Sequence, residues 1–563
     1  MMPTRSKALR TSATAFLLQE AVWVLLLVSA LSARGLAATQ ATPVREADAS
    51  CARCHAEIYR RYLATPMANA SGSAAEKLRA GAFLHKTTGV EYEISTTHGE
   101  SVLKYRLPGA ASSWENRPLS YFLGSGHLGT TYLYSIGDYL FESPIAWYAA
   151  SQGYDMKPGL AEMRQIPPPL PMESGCMRCH MSSVQPADPG TMNRFEGSPF
   201  LHGGITCEAC HGDSRQHVTT GGKAAIVNPA RLDADKRDSI CISCHLEGDV
   251  SVERAGHDAL NYRPGDSISD YLAYYVRASA NLTARGVSEV EQLSHSTCKR
   301  MSGDKMSCTS CHDPHYTPDA QHRVAFFRSK CLVCHNQPQF AVTHHPENQD
   351  CTSCHMPRAV ARNILHVAWT DHRILRVPDH STAVADSSTG DHLVPIFSPE
   401  ATDRDLAMAY YQLLLEGDRS FETLAWNKLN QLGNTIADDK PALDALGNLR
   451  AERGENQIAE QTFQQVLKID PNDLTALSNL GILRAKEGKL NEAIPLLRKA
   501  FDRNQDVPGL AMNLARVECM ANEGQAAQTT LQTALIYSPN LTDLRQLESQ
   551  MSACGETSGN EAK

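Results

Sequence analysis

The sequence predicts a mainly α chain in two parts: a first two thirds with little regular structure around attached cofactors and a small β insertion, then an α-helical repeat solenoid. Three observations carry this. Seven Cys-x-x-Cys-His pentapeptides lie between Cys51 and His355, residues between the first two alternate apolar and polar, and beyond residue 400 small and apolar residues recur every 34 positions.

The opening 37 residues read as a cleaved export signal. Arg5, Lys7 and Arg10 precede an apolar run from Ala21 to Leu31, and Gly35-Leu36-Ala37 offers small residues at both cleavage positions. Gln19 and Glu20 interrupt the apolar stretch, which falls short of the roughly 20 residues that a spanning helix needs. No Cys stands near the cleavage point to carry a lipid. Cleavage removes four basic residues and one acid, so the formal net charge of -9 becomes -12. An acidic chain without a P-loop, dinucleotide fingerprint or basic stripe disfavours nucleic acid and anionic membrane surfaces as partners and favours basic patches on other proteins. The expected location is periplasmic or extracellular, with no transmembrane helix in the mature chain.

Of 17 cysteines, 14 form the pentapeptides: Cys51/Cys54 with His55, Cys176/Cys179 with His180, Cys207/Cys210 with His211, Cys241/Cys244 with His245, Cys308/Cys311 with His312, Cys331/Cys334 with His335, and Cys351/Cys354 with His355. Two thiols at this spacing add to the two vinyl groups of a haem, and the adjoining imidazole binds its iron. Zinc ribbons, iron–sulfur clusters and disulfides also use paired cysteines, but none requires His in the fifth place every time. The expected cofactor is haem c, seven covalent copies, each with its iron, over residues 38–376.

Each iron accepts a second axial ligand, and 15 histidines remain, all between His85 and His392. His217 follows His211 and His315 follows His312 closely enough to serve a neighbouring haem. His366 and His372 follow the last motif, where no further attachment competes for them. These four are the expected distal ligands; His127, His202 and His345 are weaker candidates. Met67, 12 residues beyond His55, reads as a core methionine or as the first haem's ligand. Cys298 reads as a buried thiol, a free ligand near an iron or part of a reactive site.

Val90, Tyr92 and Ile94 alternate with polar residues, His98-Gly99 marks a turn, and Val102 to Leu107, Tyr132 to Phe141 and Ile145 to Tyr148 continue the strand pattern. A β insertion is expected over about 85–165. Residues 377–399 carry Pro, Ser, Gly and Asp without apolar periodicity and read as a linker. Over 400–550, Leu446-Gly447, Gly454, Ala459, Phe463 and Pro471 recur as Leu480-Gly481, Gly488, Ala493 and Leu497, then as Leu514-Ala515, Ala527, Leu531 and Pro539. A 34-residue period with small residues where two helices approach is that of the tetratricopeptide repeat. A degenerate unit with Ala425 and Leu429 in register precedes them from about Leu406, and 551–563 is a tail.

The chain resembles bacterial multihaem cytochromes with C-terminal tetratricopeptide repeats, related to the tetrahaem cytochrome that takes electrons from hydroxylamine oxidoreductase. The carriers are Cys51 to His55 with Thr65-Pro66-Met67, Gly124-Ser125-Gly126, Gly204-Ile205-Thr206 leading into Cys207 to His211 and His217, Ser296-Thr297-Cys298, Cys308 to His315, Cys354-His355-Met356-Pro357 and Thr370-Asp371-His372-Arg373-Ile374. The resemblance implies electron transfer through closely packed, mostly bis-His haems. Met67 departs from it, since tetrahaem relatives tend to place His there. The expected function is electron transfer between protein redox partners, with the repeats as the docking element for a peptide or protein. The competing expectation is a multihaem oxidoreductase acting on a small nitrogen or sulfur compound at a haem with an open axial position.

Overall fold

The computed structural model describes residues 42–554 except 110–112, 279–286, 338, 341–343, 345–346, 361–367, 377–391, 398–400 and 552–553. The expected export signal, His345 and His366 therefore lie outside the described residues.

The first two thirds depart from the mainly α expectation. A ten-stranded antiparallel sheet runs from residue 71 to 171, a larger unit than the insertion expected over 85–165. Its strands are β1 (Ser71–Ser73), β2 (Gly81–His85), β3 (Val90–Thr97), β4 (Glu100–Arg106), β5 (Glu115–Leu123), β6 (Gly129–Ile136), β7 (Tyr139–Glu142), β8 (Ile145–Tyr148), β9 (Gly153–Met156) and β10 (Leu170–Pro171). The main order is β9-β8-β6-β5-β4-β3-β2, with β1 on β5, and β7 between β6 and β10. Alternation holds in β3, where Val90, Tyr92 and Ile94 point inward, and His98 and Gly99, both at positive φ, close the hairpin to β4. In β8 all four residues are buried, so the period-2 signal vanishes there. The sheet curls until β9 lies against β2, where Gly81 leaves room for the Tyr154 ring. Val90, Tyr92, Ile94, Phe122, Tyr132 and Phe141 fill the interior.

Around this sheet the motifs sit on helices, including Cys51 and Cys54 in Ala49–Tyr62, Cys241 and Cys244 in Ala234–His245, and Cys331 and Cys334 at the end of Arg323–Cys334. The i,i+3 spacing puts both thiols of a pair on one face of its turn. A second sheet joins β11 (Val250–Glu253), β12 (Leu272–Arg277) and β13 (Leu393–Pro395). Strand β13 falls inside the expected linker, so that segment is partly built into the body.

The helical C-terminal region follows the expected period. Its helices are α1 (Asp403–Leu415), α2 (Glu422–Leu432), α3 (Lys440–Glu452), α4 (Asn456–Ile469), α5 (Leu474–Lys486), α6 (Leu490–Arg503), α7 (Pro508–Met520), α8 (Gly524–Tyr537) and α9 (Thr542–Met551). Gly447 and Gly481 are small for a visible reason: a Cβ would stand 2.6 Å from the Phe463 ring at the first and 2.7 Å from Leu497 at the second. Ala425 and Leu429 of the degenerate first unit are fully buried. Cys519 in α7 and Cys554 after α9 form a disulfide that ties down the last helix.

The solenoid is fastened to the rest at both ends. Helix α1 packs its buried face on the β11-β12-β13 sheet, and Arg254 pairs with the buried Asp405 at 2.8 Å while Arg277 pairs with Asp418 at 2.8 Å. Farther along, successive inter-repeat turns meet the large sheet and its following loop. Gly190 lies against Asn472, Arg503 and Asn504 donate to the carbonyls of Pro189 and Gly190, the Tyr139 hydroxyl donates to the Arg503 carbonyl at 2.8 Å, and Tyr139 packs edge-on against Tyr537.

Closing a loop of this length by the Cys519–Cys554 bond stabilises by about 3–4 kcal/mol on chain-entropy grounds. Cys519→Ser is expected to lower the unfolding free energy of the repeat region by up to that amount, and reductant should do the same to the parent in thermal melts. Asp506, half-buried at the docking edge beside Asn193, has its pKa pushed up to about 6, mainly by desolvation. A raised folded-state value contributes stability that is full near pH 4 and lost as pH rises through about 6. Asp506→Asn should therefore flatten the melting profile between pH 4 and 7 and raise stability at pH 7 by about 1–2 kcal/mol after screening.

Candidate haem sites

An iron held by two imidazoles at about 2.0 Å each, with the ring centres roughly 1.1 Å behind the nitrogens, separates the ring centroids by about 6.2 Å. Four motif histidines face a second histidine at that spacing. His55 stands 6.4 Å from His217 with ring planes 14° apart, His211 6.1 Å from His315 at 12°, His312 6.3 Å from His372 at 28°, and His355 5.8 Å from His344 at 23°. The residues present thus fit a haem iron between each pair.

The ring orientations agree with ligation through Nε2. His211 Nδ1 stands 2.9 Å from the Val227 carbonyl, His217 Nδ1 2.8 Å from Ala224, His355 Nδ1 2.6 Å from Leu375, and His372 Nδ1 2.8 Å from Thr370. A carbonyl only accepts, so Nδ1 carries the proton in all four and the Nε2 lone pair is left for a metal. Burial, then the neighbouring His372, pushes His312 down to about 4, and burial also lowers His180 and His315. These rings are neutral near pH 7, the form that binds a metal. The buried Gln292 side chain accepts the His372 backbone N–H at 2.9 Å, fixing where that ring stands.

Motif thiols gather across motifs as well. The Asp48 carboxylate, Cys51 and Cys207 place ligand atoms within 4.8 Å of one another, and Asp48 accepts the Cys207 backbone N–H at 2.9 Å. Both cysteines belong to Cys-x-x-Cys-His motifs, so this cluster is a junction of motifs one and three. Cys298 is half-buried, and burial raises its pKa, with Cys334 nearby.

Of the distal residues expected from sequence, His217, His315 and His372 each stand opposite a motif histidine, whereas His366 and the weaker candidate His345 lie outside the described residues. His127 is exposed. His202 lies on the strand Phe200–Gly203. Met67 packs against Val44, Tyr62 and Ala68 while His217 takes the place facing His55. His344 was missed; the adjacent pair His344-His345, nine residues beyond His335, was the available signal. Among the described residues no histidine ring stands opposite His180, His245 or His335 at this spacing; the ring nearest His335 is Phe340, at 5.0 Å.

The family model for cytochrome c554 and c-prime matches residues 154–212, which hold the second and third motifs, and the tetratricopeptide-repeat model matches 484–551. The matches support a multihaem cytochrome with tetratricopeptide repeats. A curated relative, multiheme cytochrome MtrA of Shewanella baltica, is 26% identical over 171 residues, covering 28% of this chain and 51% of its own length. The chain thus spans about half of the relative it matches. Among solved structures, MamA of Desulfovibrio magneticus is 20% identical over 28% of this chain and 89% of its own, with a TM-score of 0.25, and a tetratricopeptide-repeat protein of Thermus thermophilus is 18% identical over 27% and 79%, with a TM-score of 0.22. Among the described residues no helix is long and apolar enough to cross a membrane.

Proposed function

We propose that the chain is an exported heptahaem electron-transfer protein that passes electrons between protein partners, docked through its repeats. The four imidazole pairs at 5.8–6.4 Å carry the reading. On it, His55, His180, His211, His245, His312, His335 and His355 are the proximal ligands, the fourteen motif cysteines hold the porphyrins, and His217, His315, His372 and His344 are distal ligands of the first, third, fifth and seventh sites. His366 stays a candidate for one of the other three. Haem supplies reversible one-electron chemistry, and the chain supplies ligation, spacing and burial.

The ligand pattern supports a relay. His217 lies six residues beyond His211, so one short segment serves the first and third sites. His312 and His315 likewise join the fifth and third, and His335 and His344 the sixth and seventh. The similarity to multiheme cytochrome MtrA supports electron transfer, and the Cys519–Cys554 disulfide supports an oxidising, extracytoplasmic compartment.

Mass spectrometry of the purified protein should show seven haem additions and loss of about 37 N-terminal residues. His372→Ala should keep all seven haems yet add a high-spin EPR signal and a carbon monoxide-sensitive Soret component. Spectra matching the parent's would remove His372 from the ligand set, and a high-spin signal already present in the parent would favour the oxidoreductase reading.

A further inference from the structure

The second and fourth motifs lie back to back, and Arg178, the residue before Cys179, is the group wedged between them. Its guanidinium donates to the carbonyl of Ser243, the residue before Cys244. In return the Cys244 sulfur lies 3.9 Å from the Arg178 carbonyl. The groups facing the guanidinium include Cys179, Tyr274 and Cys244, and the Glu247 carboxylate lies near Cys179. Tyr274 is almost wholly buried beside it. An arginine stays charged in such a place, and low local dielectric lets its field act on whatever the adjoining cysteines hold.

We propose that Arg178 is a potential-setting residue shared by the haems of the second and fourth motifs. The proposal rests on the heptahaem reading. Reduction adds one electron to a site, so a fixed positive charge at the thioether edge of both haems favours their reduced forms and raises both midpoint potentials. The other five motifs carry Ala-Arg, Glu-Ala, Thr-Ser, Leu-Val and Thr-Ser between their cysteines. Only the first of these also holds an arginine, Arg53, and it is exposed.

The test is an EPR-monitored redox titration of the full-length holoprotein, with haems first counted by mass spectrometry. A count other than seven in the parent would refute the heptahaem reading and not the role of Arg178. In Arg178→Gln two of the seven midpoint potentials are expected to fall together while five hold, and Arg178→Lys, which keeps the charge, is expected to stay close to the parent. Should the Gln variant load fewer haems, Ser243→Asp sets a counter-charge beside the guanidinium without removing its backbone acceptor, and should lower the same two potentials. Unmoved potentials, a shift spread over all seven, or a Lys variant falling as far as the Gln variant would overturn the proposal.

Discussion

A haem iron takes axial ligands from opposite faces of a plane, so a bis-imidazole site must draw its second histidine from a segment other than the one carrying the thioethers. On the proposed ligation, that constraint organises the first two thirds of this chain. The segment after the third motif supplies His217 opposite His55, the one after the fifth supplies His315 opposite His211, and the one after the seventh supplies His372 opposite His312. On the proposed ligation, the segments after motifs three, five and seven each complete a site begun elsewhere, and these segments interlock without a large side-chain core of their own. The turns that carry them are held by polar contacts such as Asp48 on the Cys207 amide and Gln292 on the His372 amide.

The large sheet and the repeats then act as two rigid walls. The sheet buries its own aromatic core, and the solenoid meets it through polar turns, with Arg503, Asn504 and Tyr139 making the bonds. At the other end, α1 covers the β11-β12-β13 sheet. A repeat array clamped this way holds a fixed position relative to the haem region, so a partner seated on it would meet the same sites every time.

Much of this was legible beforehand where covalent chemistry or a strict period writes it into the residues. The Cys-x-x-Cys-His motifs and the 34-residue repeat are of that kind, and His217, His315 and His372 stood out by nearness to motifs. Which motif histidine each one faces was not legible, because pairing is set by packing between segments far apart in sequence. The sheet was underestimated because β8 is buried on both sides and loses alternation, and β1 is a three-residue strand built around Gly72. The Cys519–Cys554 bond was missed because connectivity does not follow from spacing, although two cysteines beyond the last motif were the cue. The docking edge was hidden for a different reason: Asn472, Arg503 and Asn504 look like ordinary solvated turn residues until the sheet lies against them.

The most direct measurement is anomalous diffraction at the iron edge from crystals of the holoprotein, which locates each iron without reference to spectra. The proposed ligation predicts seven peaks, four of them midway between His55 and His217, His211 and His315, His312 and His372, and His355 and His344. Irons bound to the motif histidines but with any of these partners turned away, or an iron shared by a different pair, would contradict it.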